Sequence, residues 1–95
     1  MGRYSKIYKE FCPGKDGRGT IVLRRDNYDH SLGHIETLFA VARRDFPGLK
    51  PSRRDVRIQC YGGDRRKGQI GIEIDVPANL VPEEYVRIEN LESTL

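Results

Sequence analysis

The segment from Ser31 to Phe46 constrains the fold of this chain more than any other part. Ser31 can cap the first turn of a helix there, and Pro47 with Gly48 cannot continue it. A helix with one apolar face requires an apolar surface opposite it, so the segment predicts a helix packed on a sheet. The apolar residues recur at spacings of three and four and form one stripe: Leu32, Ile35, Leu38, Phe39, Ala42 and Phe46.

Two alternating segments after the helix, Val56–Tyr61 and residues 69–76, predict a β-hairpin. Centring this hairpin on Arg65 places Ile58 opposite Ile72, so that apolar residues share one face. The same register places Arg57 opposite Glu73 on the other face, which makes Arg57 the expected partner of Glu73. The residues expected to meet in the core are Ile70, Ile72 and Ile74 with Leu38, Phe39 and Ala42.

The region before the helix predicts a first hairpin. Residues 3–12 have the mixed aromatic, apolar and lysine pattern of an edge strand, and Thr20–Arg25 is a short strand. Cys12–Gly19 forms the loop between them, and the stretch Gly14–Thr20, GKDGRGT, superficially looks like a phosphate-binding loop. A phosphate-binding loop needs Ser or Thr after its lysine and a helix behind it, whereas Asp16 and a strand follow here. The sequence therefore favours a hairpin loop.

The C-terminal segment, residues 82–92, has two interpretations. Pro82-Glu83-Glu84 is typical of a first helical turn and favours a short helix, while residues 85–88 would also suit a fifth strand. The predicted fold is therefore α+β: a single domain over residues 1–95, with one main amphipathic helix packed on one face of a mostly antiparallel four- to five-stranded sheet. The element order is ββαββ plus a C-terminal helix or strand.

Charge is divided unevenly along the chain. Residues 1–69 carry 16 Lys and Arg against 8 Asp and Glu, and residues 70–95 carry one Arg against six acids. The net charges of +8 and −5 sum to the +3 of the whole chain. This division predicts either an anionic partner for the basic part or an acidic tail folded onto it.

The basic groups are the strongest candidates for a binding site. Arginine and lysine at loop tips can reach phosphates, and Tyr61 could stack on a base. Solvated surface charge is the competing interpretation. The candidate anion-binding or nucleic-acid-binding residues are Lys15, Arg18, Arg43, Arg44, Arg53, Arg54, Tyr61, Arg65, Arg66 and Lys67.

Metal and catalytic sites find little support in the sequence. His30 and His34 have a spacing that metal ligands use, but no third ligand follows from the pattern. Glu73 and Asp75 share a strand face, as nuclease carboxylates do, yet pairing with Arg57 explains Glu73 better. We expect no metal, no cofactor and no enzymatic activity.

The remaining expectations concern partners and location. No apolar run is long enough to cross a bilayer, and two cysteines 48 positions apart make a poor disulfide framework. We therefore expect a cytoplasmic protein that does not interact with membranes. The favoured function is a small non-catalytic binding module with a basic face for an anionic partner such as nucleic acid. The alternative is a protein–protein adaptor or inhibitor that binds an acidic protein surface or forms a homodimer.

Overall fold

The structure is a computed structural model, and it describes residues 7–26, 33–61 and 69–89. These residues form an α+β fold in which one helix packs on one face of a five-stranded sheet. The elements are β1 (Ile7–Pro13), β2 (Arg18–Asp26), α1 (Gly33–Asp45), β3 (Val56–Tyr61), β4 (Gln69–Pro77) and β5 (Val86–Arg87), with 3₁₀ turns at Arg53–Asp55 and Ala78–Leu80.

The strands lie in the order β3-β4-β2-β1-β5. All pairs are antiparallel except β1 with β5, which is parallel. The predicted register of the second hairpin is confirmed, since Ile58 pairs with Ile72 and Arg57 with Glu73. The sheet is therefore mixed, with β3 at one edge and β5 at the other.

The predicted helix and its contact with β4 are confirmed. Ile72 and Ile74 are buried in one cluster with Leu38, Phe39 and Ala42, while Ile70 is only partly buried at its rim. The helix ends at Asp45, and the amide of Phe46 still donates to the carbonyl of Ala42 at 2.9 Å. Pro47, which follows, has no amide hydrogen and cannot continue the helix. Ser31, the predicted cap, lies outside the described residues.

The first hairpin is confirmed, and its loop is shorter than predicted. Asp16 and Gly17 have φ angles of 58° and 74°, the left-handed values that a type I′ turn requires, so β1 and β2 extend to Pro13 and from Arg18. Gly19 lies against β1, where a Cβ atom would come within 2.6 Å of the Phe11 ring. Only glycine fits at that position.

The β1 side of the sheet decides between the two interpretations of the C-terminal segment and corrects one other prediction. The fifth strand is confirmed and the favoured short helix is wrong, because extended backbone lets Ile88 donate from its amide to the carbonyl of Phe11 at 2.9 Å. For the same reason β1 is not the edge strand: β5 pairs with Glu10 and Phe11. Residues 3–6 of the predicted edge strand lie outside the described part.

Candidate anion-binding pocket

A surface pocket of about 410 Å³ lies beside the last residues of β4, because β3 begins opposite Ile74, three residues before β4 ends at Pro77. Val56, the first residue of β3, pairs with Ile74, so β3 contributes no partner for Asp75 and the residues beyond it. The space is flanked by the start of β2 and by the linker that enters β3. Its lining consists of three arginines, two acids and three apolar residues: Arg18, Arg54, Arg57, Asp55, Asp75, Leu49, Pro51 and Ile74.

The linker that carries Arg54 is held by a local hydrogen-bond cluster. The Asp55 carboxylate accepts from the Ser52 amide at 3.0 Å and from the Ser52 hydroxyl at 2.9 Å, and the Asp55 amide donates back to the Ser52 carbonyl at 2.9 Å. These bonds from Ser52 lower the pKa of Asp55 below its ordinary value. The acid next to Arg54 is therefore occupied with the backbone of its own turn.

The second acid of the pocket is also paired. Asp75 accepts from the Thr20 hydroxyl at 2.9 Å and from Arg57 at 3.3 Å. The Thr20 bond is the largest cause of the lowered pKa of Asp75. Burial raises this pKa, but the Thr20 bond, the Arg57 bond and the charge of Arg18 together outweigh burial. Arg57 also bonds the buried Glu73 at 3.3 Å, which confirms the predicted pair. Two carboxylates thus share Arg57.

The side chains of Arg18 and Arg54 differ from that of Arg57. Both residues are exposed, and neither side chain makes a hydrogen bond or an ion pair within the described part of the chain. A guanidinium presents several N–H donors in one plane and can bind a carboxylate or phosphate through two of them. The pocket therefore combines two available guanidinium groups with an apolar wall formed by Leu49, Pro51 and Ile74.

The other described candidates do not join this pocket. Lys15 is exposed in the turn of the first hairpin. On the outside of α1, Arg43 lies 5.2 Å from the Phe39 ring and Arg44 bonds Asp45 at 3.0 Å. The sequence could place these two arginines on the helix exterior, but it could not show that each already has a neighbour there.

The remaining candidates lie partly or wholly outside what the structure describes. Arg53 belongs to the 3₁₀ turn before β3, and only its backbone position is described. Tyr61 is the last residue of β3, about 16 Å along the strand from Val56, so the fold separates it from the pocket. Arg65, Arg66 and Lys67 lie outside the described residues, and their role stays a prediction.

A second charged cluster, which the sequence did not reveal, lies at the other side of the sheet. Asp45 accepts a hydrogen bond from the Tyr85 hydroxyl at 2.8 Å and pairs with Lys9 at 3.1 Å, and Lys9 also contacts Glu84 at 2.8 Å. The Tyr85 ring is buried edge-on against Phe46, with centroids 5.6 Å apart. Contacts between residues so distant in sequence leave no periodic signal.

The pKa directions in this cluster agree with its geometry. Burial opposes ionisation of Asp45, but hydrogen bonds from Arg44, Tyr85 and Lys9 outweigh it and lower the pKa of Asp45. Burial and the hydrogen bond to Asp45 raise the pKa of Tyr85. Both groups are therefore held in the protonation states that let Tyr85 donate to a carboxylate.

The described residues contain no group of three or more side chains suited to hold a metal ion. Of the two histidines, His34 is partly exposed in the first turn of α1, and His30 falls outside the described part. No helix among the described residues is long and apolar enough to cross a membrane.

Comparison of the chain with protein families, with curated proteins and with solved structures finds no match.

Proposed function

We propose that this protein is a small non-catalytic binding module that uses Arg18 and Arg54 to bind the phosphate backbone of nucleic acid. The observation that carries the proposal is the pocket at the start of β3. It holds two guanidinium groups that form no side-chain hydrogen bond or ion pair among the described residues, while its acids accept from Thr20, Arg57 and Ser52. An exposed guanidinium is strongly suited to bidentate contact with phosphate.

The distribution of ion pairs supports the same proposal. Three acids of the negatively charged part, Glu73, Asp75 and Glu84, pair with Arg57 and Lys9 of the basic part. The acidic segment thus neutralises particular cations and leaves Arg18 and Arg54 available. The ion pairs support the second alternative raised by the uneven charge, an acidic segment folded onto the basic part. Under the proposal, this folding decides which cations remain for the partner.

The pocket's apolar wall favours a partner with both an anionic and an apolar part. A nucleotide offers a phosphate for the arginines and a sugar or base edge for Leu49 and Pro51. Both arginines stand at one end of the sheet, so a strand of nucleic acid would run along that end. Recognition of this kind fixes the backbone and carries little sequence information.

The test is a fluorescence anisotropy titration of labelled single-stranded and duplex DNA at several salt concentrations. The wild type is compared with an Arg18→Gln/Arg54→Gln double variant. We expect weaker binding and a plot of log K against log salt that is flatter by up to about 1.8 units for duplex DNA, because two phosphate contacts are lost.

The control must remove the same charge from elsewhere. Arg43→Gln/Arg87→Gln does so at two exposed arginines that lie over aromatic rings outside the pocket. It should leave binding much closer to that of the wild type. An equal loss in both double variants would show that only net charge matters, and absence of saturable binding at low salt would refute nucleic-acid binding altogether.

The predicted contribution of Arg65, Arg66 and Lys67 is tested separately. If these residues contact phosphates, their triple alanine variant should flatten the salt dependence for duplex DNA by up to about 2.7 units. An unchanged slope would remove this loop from the proposed interface while leaving the pocket untouched.

An adaptor for an acidic protein surface is the alternative function. Polyglutamate of matched charge, added as a competitor, separates the two. Stronger binding of polyglutamate than of DNA, lost in the Arg18→Gln/Arg54→Gln variant, would favour the adaptor. We propose a cytoplasmic location for either function, supported by the free thiol of Cys12.

A further inference from the structure

The outer edge of β3 combines exposed backbone with an exposed apolar side chain. β3 is the last strand of the sheet, and no described strand pairs with its outer side. Ile58 is 52% exposed although Ile72, its partner across the β3–β4 ladder, is fully buried. The reason is that α1 packs mainly on β4 and β2 and leaves the helix-facing side of β3 largely uncovered.

The register of the sheet shows which backbone groups point outward from β3. The Phe11 carbonyl accepts from Ile88, so Phe11 faces β5 and its neighbour Glu10 faces Val22 of β2. The backbone groups of an antiparallel strand alternate in direction, so those of Leu23, next to Val22, point to β4. Leu23 pairs with Ile72, so the backbone groups of Ile72 point to β2 and those of Gly71 point to β3. The bond from the Ala78 amide to the Gly17 carbonyl agrees with this alternation.

The same alternation settles the directions along β3. Arg57 and Gln59 direct their amide and carbonyl groups towards Glu73 and Gly71 of β4. The amide and carbonyl groups of Val56, Ile58 and Cys60 therefore point away from the sheet. These three residues form an unpaired antiparallel template on the described edge.

We propose that β3 pairs with β3 of a second copy of this chain, antiparallel and centred on Ile58. This arrangement places Ile58 opposite Ile58 of the second copy and Val56 opposite Cys60. All three outward-facing residues then pair with outward-facing residues, which allows about six backbone hydrogen bonds. The two sheets become one continuous sheet, and the exposed isoleucines meet at its centre.

The charge pattern of β3 selects this register. Centring on Ile58 places Arg57 opposite Gln59 of the second copy, so no like charges face each other. Parallel pairing in register, or an antiparallel centre on Arg57, would bring two arginines together. Centring on Gln59 would also avoid that contact, but it leaves Val56 facing a residue beyond β3 and forms fewer hydrogen bonds within the strand.

The opposite edge of the sheet provides a matched control. β5 has only two residues, and its Val86 is 61% exposed. A lysine there changes an exposed apolar residue of an edge strand in the same way as a lysine at Ile58. The two substitutions therefore differ in the edge they occupy and not in chemistry.

The experiment is sedimentation equilibrium of the wild type, Ile58→Lys and Val86→Lys over a range of micromolar concentrations, with circular dichroism to confirm folding. We expect the wild type and Val86→Lys to reach about twice the 10.9 kDa of one chain. Ile58→Lys should raise the dimer dissociation constant about 100-fold or more, because two lysines replace two apolar side chains at the centre.

Amide hydrogen exchange of the unmodified chain gives a second readout. The Ile58 amide should become more protected as concentration rises, while the inward-facing Arg57 amide should be protected at all concentrations. A wild type that stays monomeric, an Ile58→Lys variant that still dimerises, or loss of the dimer in Val86→Lys would each overturn the proposal. DNA binding at the pocket is tested independently, because Ile58→Lys leaves Arg18 and Arg54 in place.

Discussion

The two ends of the strand order, β5 next to β1 and β3 next to β4, differ in how the rest of the chain covers them. At the β1 side, the C-terminal segment folds back, adds β5 and buries Tyr85 against Phe46. At the β3 side, Ile58 is half exposed, and Arg18 and Arg54 of the adjacent pocket form no side-chain hydrogen bond or ion pair among the described residues. We call the first the closed side, which includes Lys9, Asp45, Glu84 and Tyr85. We call the second the open side, which includes Ile58 and the adjacent pocket with Arg18 and Arg54.

The difference shows that charge alone does not identify a binding surface. Lys9 and Arg18 are both cations on strands of the sheet, yet Lys9 is held by Asp45 and Glu84. The Lys9 cluster stabilises the fold because its members satisfy one another, whereas the side chains of Arg18 and Arg54 form no hydrogen bond or ion pair within the described residues. Changes on the closed side should therefore reduce stability, and changes on the open side should reduce binding.

The largest expected effect comes from the core between the two sides. Ile72→Ala should lower the free energy of unfolding by about 2–4 kcal/mol, because it leaves a cavity in a fully buried position. Ile58→Ala, at the residue paired with Ile72, should cost under about 1 kcal/mol in dilute protein because Ile58 is already exposed. Urea denaturation measures both free energies of unfolding. Equal costs would contradict the view that α1 covers Ile72 and leaves Ile58 exposed.

The closed side can be broken at Asp45. Asp45→Ala should cost about 2–3 kcal/mol, because it leaves the Tyr85 hydroxyl and part of the Lys9 charge without a partner in a buried setting. Glu84→Ala removes the other partner of Lys9 at a side chain that is 57% exposed, and it should cost under about 1 kcal/mol. Chemical denaturation that finds Glu84 the more costly would reverse this account of the cluster.

The dependence of stability on pH sharpens the role of the Asp45 carboxylate. Its pKa is lowered in the folded protein, so its contribution is present above its ordinary range near pH 4 and is lost as pH falls through the folded value. The difference in unfolding free energy between wild type and Asp45→Asn should therefore shrink on acidification from pH 7. A constant difference down to pH 2 would show that the charge of Asp45 contributes nothing.

The smallest effect on stability is expected at the open side. Arg18→Gln and Arg54→Gln should each change the free energy of unfolding by less than about 0.5 kcal/mol, because neither side chain has a partner in the described part of the chain. Thermal denaturation of the same proteins used for DNA binding checks this. A large destabilisation would mean that these arginines stabilise the fold rather than serve a partner.

The sequence predicted the parts of the fold that periodic patterns encode. The stripe of α1 and the alternation of Ile70, Ile72 and Ile74 were enough to place the helix on β4 and to set the β3–β4 register. The same register correctly paired Arg57 with Glu73. These features depend on residues close in sequence or symmetric about one turn.

The rest depended on contacts that no local pattern encodes. Pro82 and two glutamates favoured a helix, but burial of Tyr85 and its bond to Asp45 hold the segment in a different conformation. The candidate site likewise divided, because β3 carries Tyr61 to the end of the sheet away from Arg54. Which arginines remain available could be decided only once the positions of Asp55 and Asp75 were known.

The most direct test of the account is the NMR signal of the arginine Nε–H groups during titration with a short single-stranded DNA. The account predicts saturable shifts for Arg18 and Arg54 that salt suppresses. It predicts little change for Arg24, whose guanidinium is held by Glu10 and Gln69. Shifts of Arg24 as large as those of Arg18 and Arg54, or no shift in any of them, would contradict the central claim that the open side of the sheet binds an anionic partner.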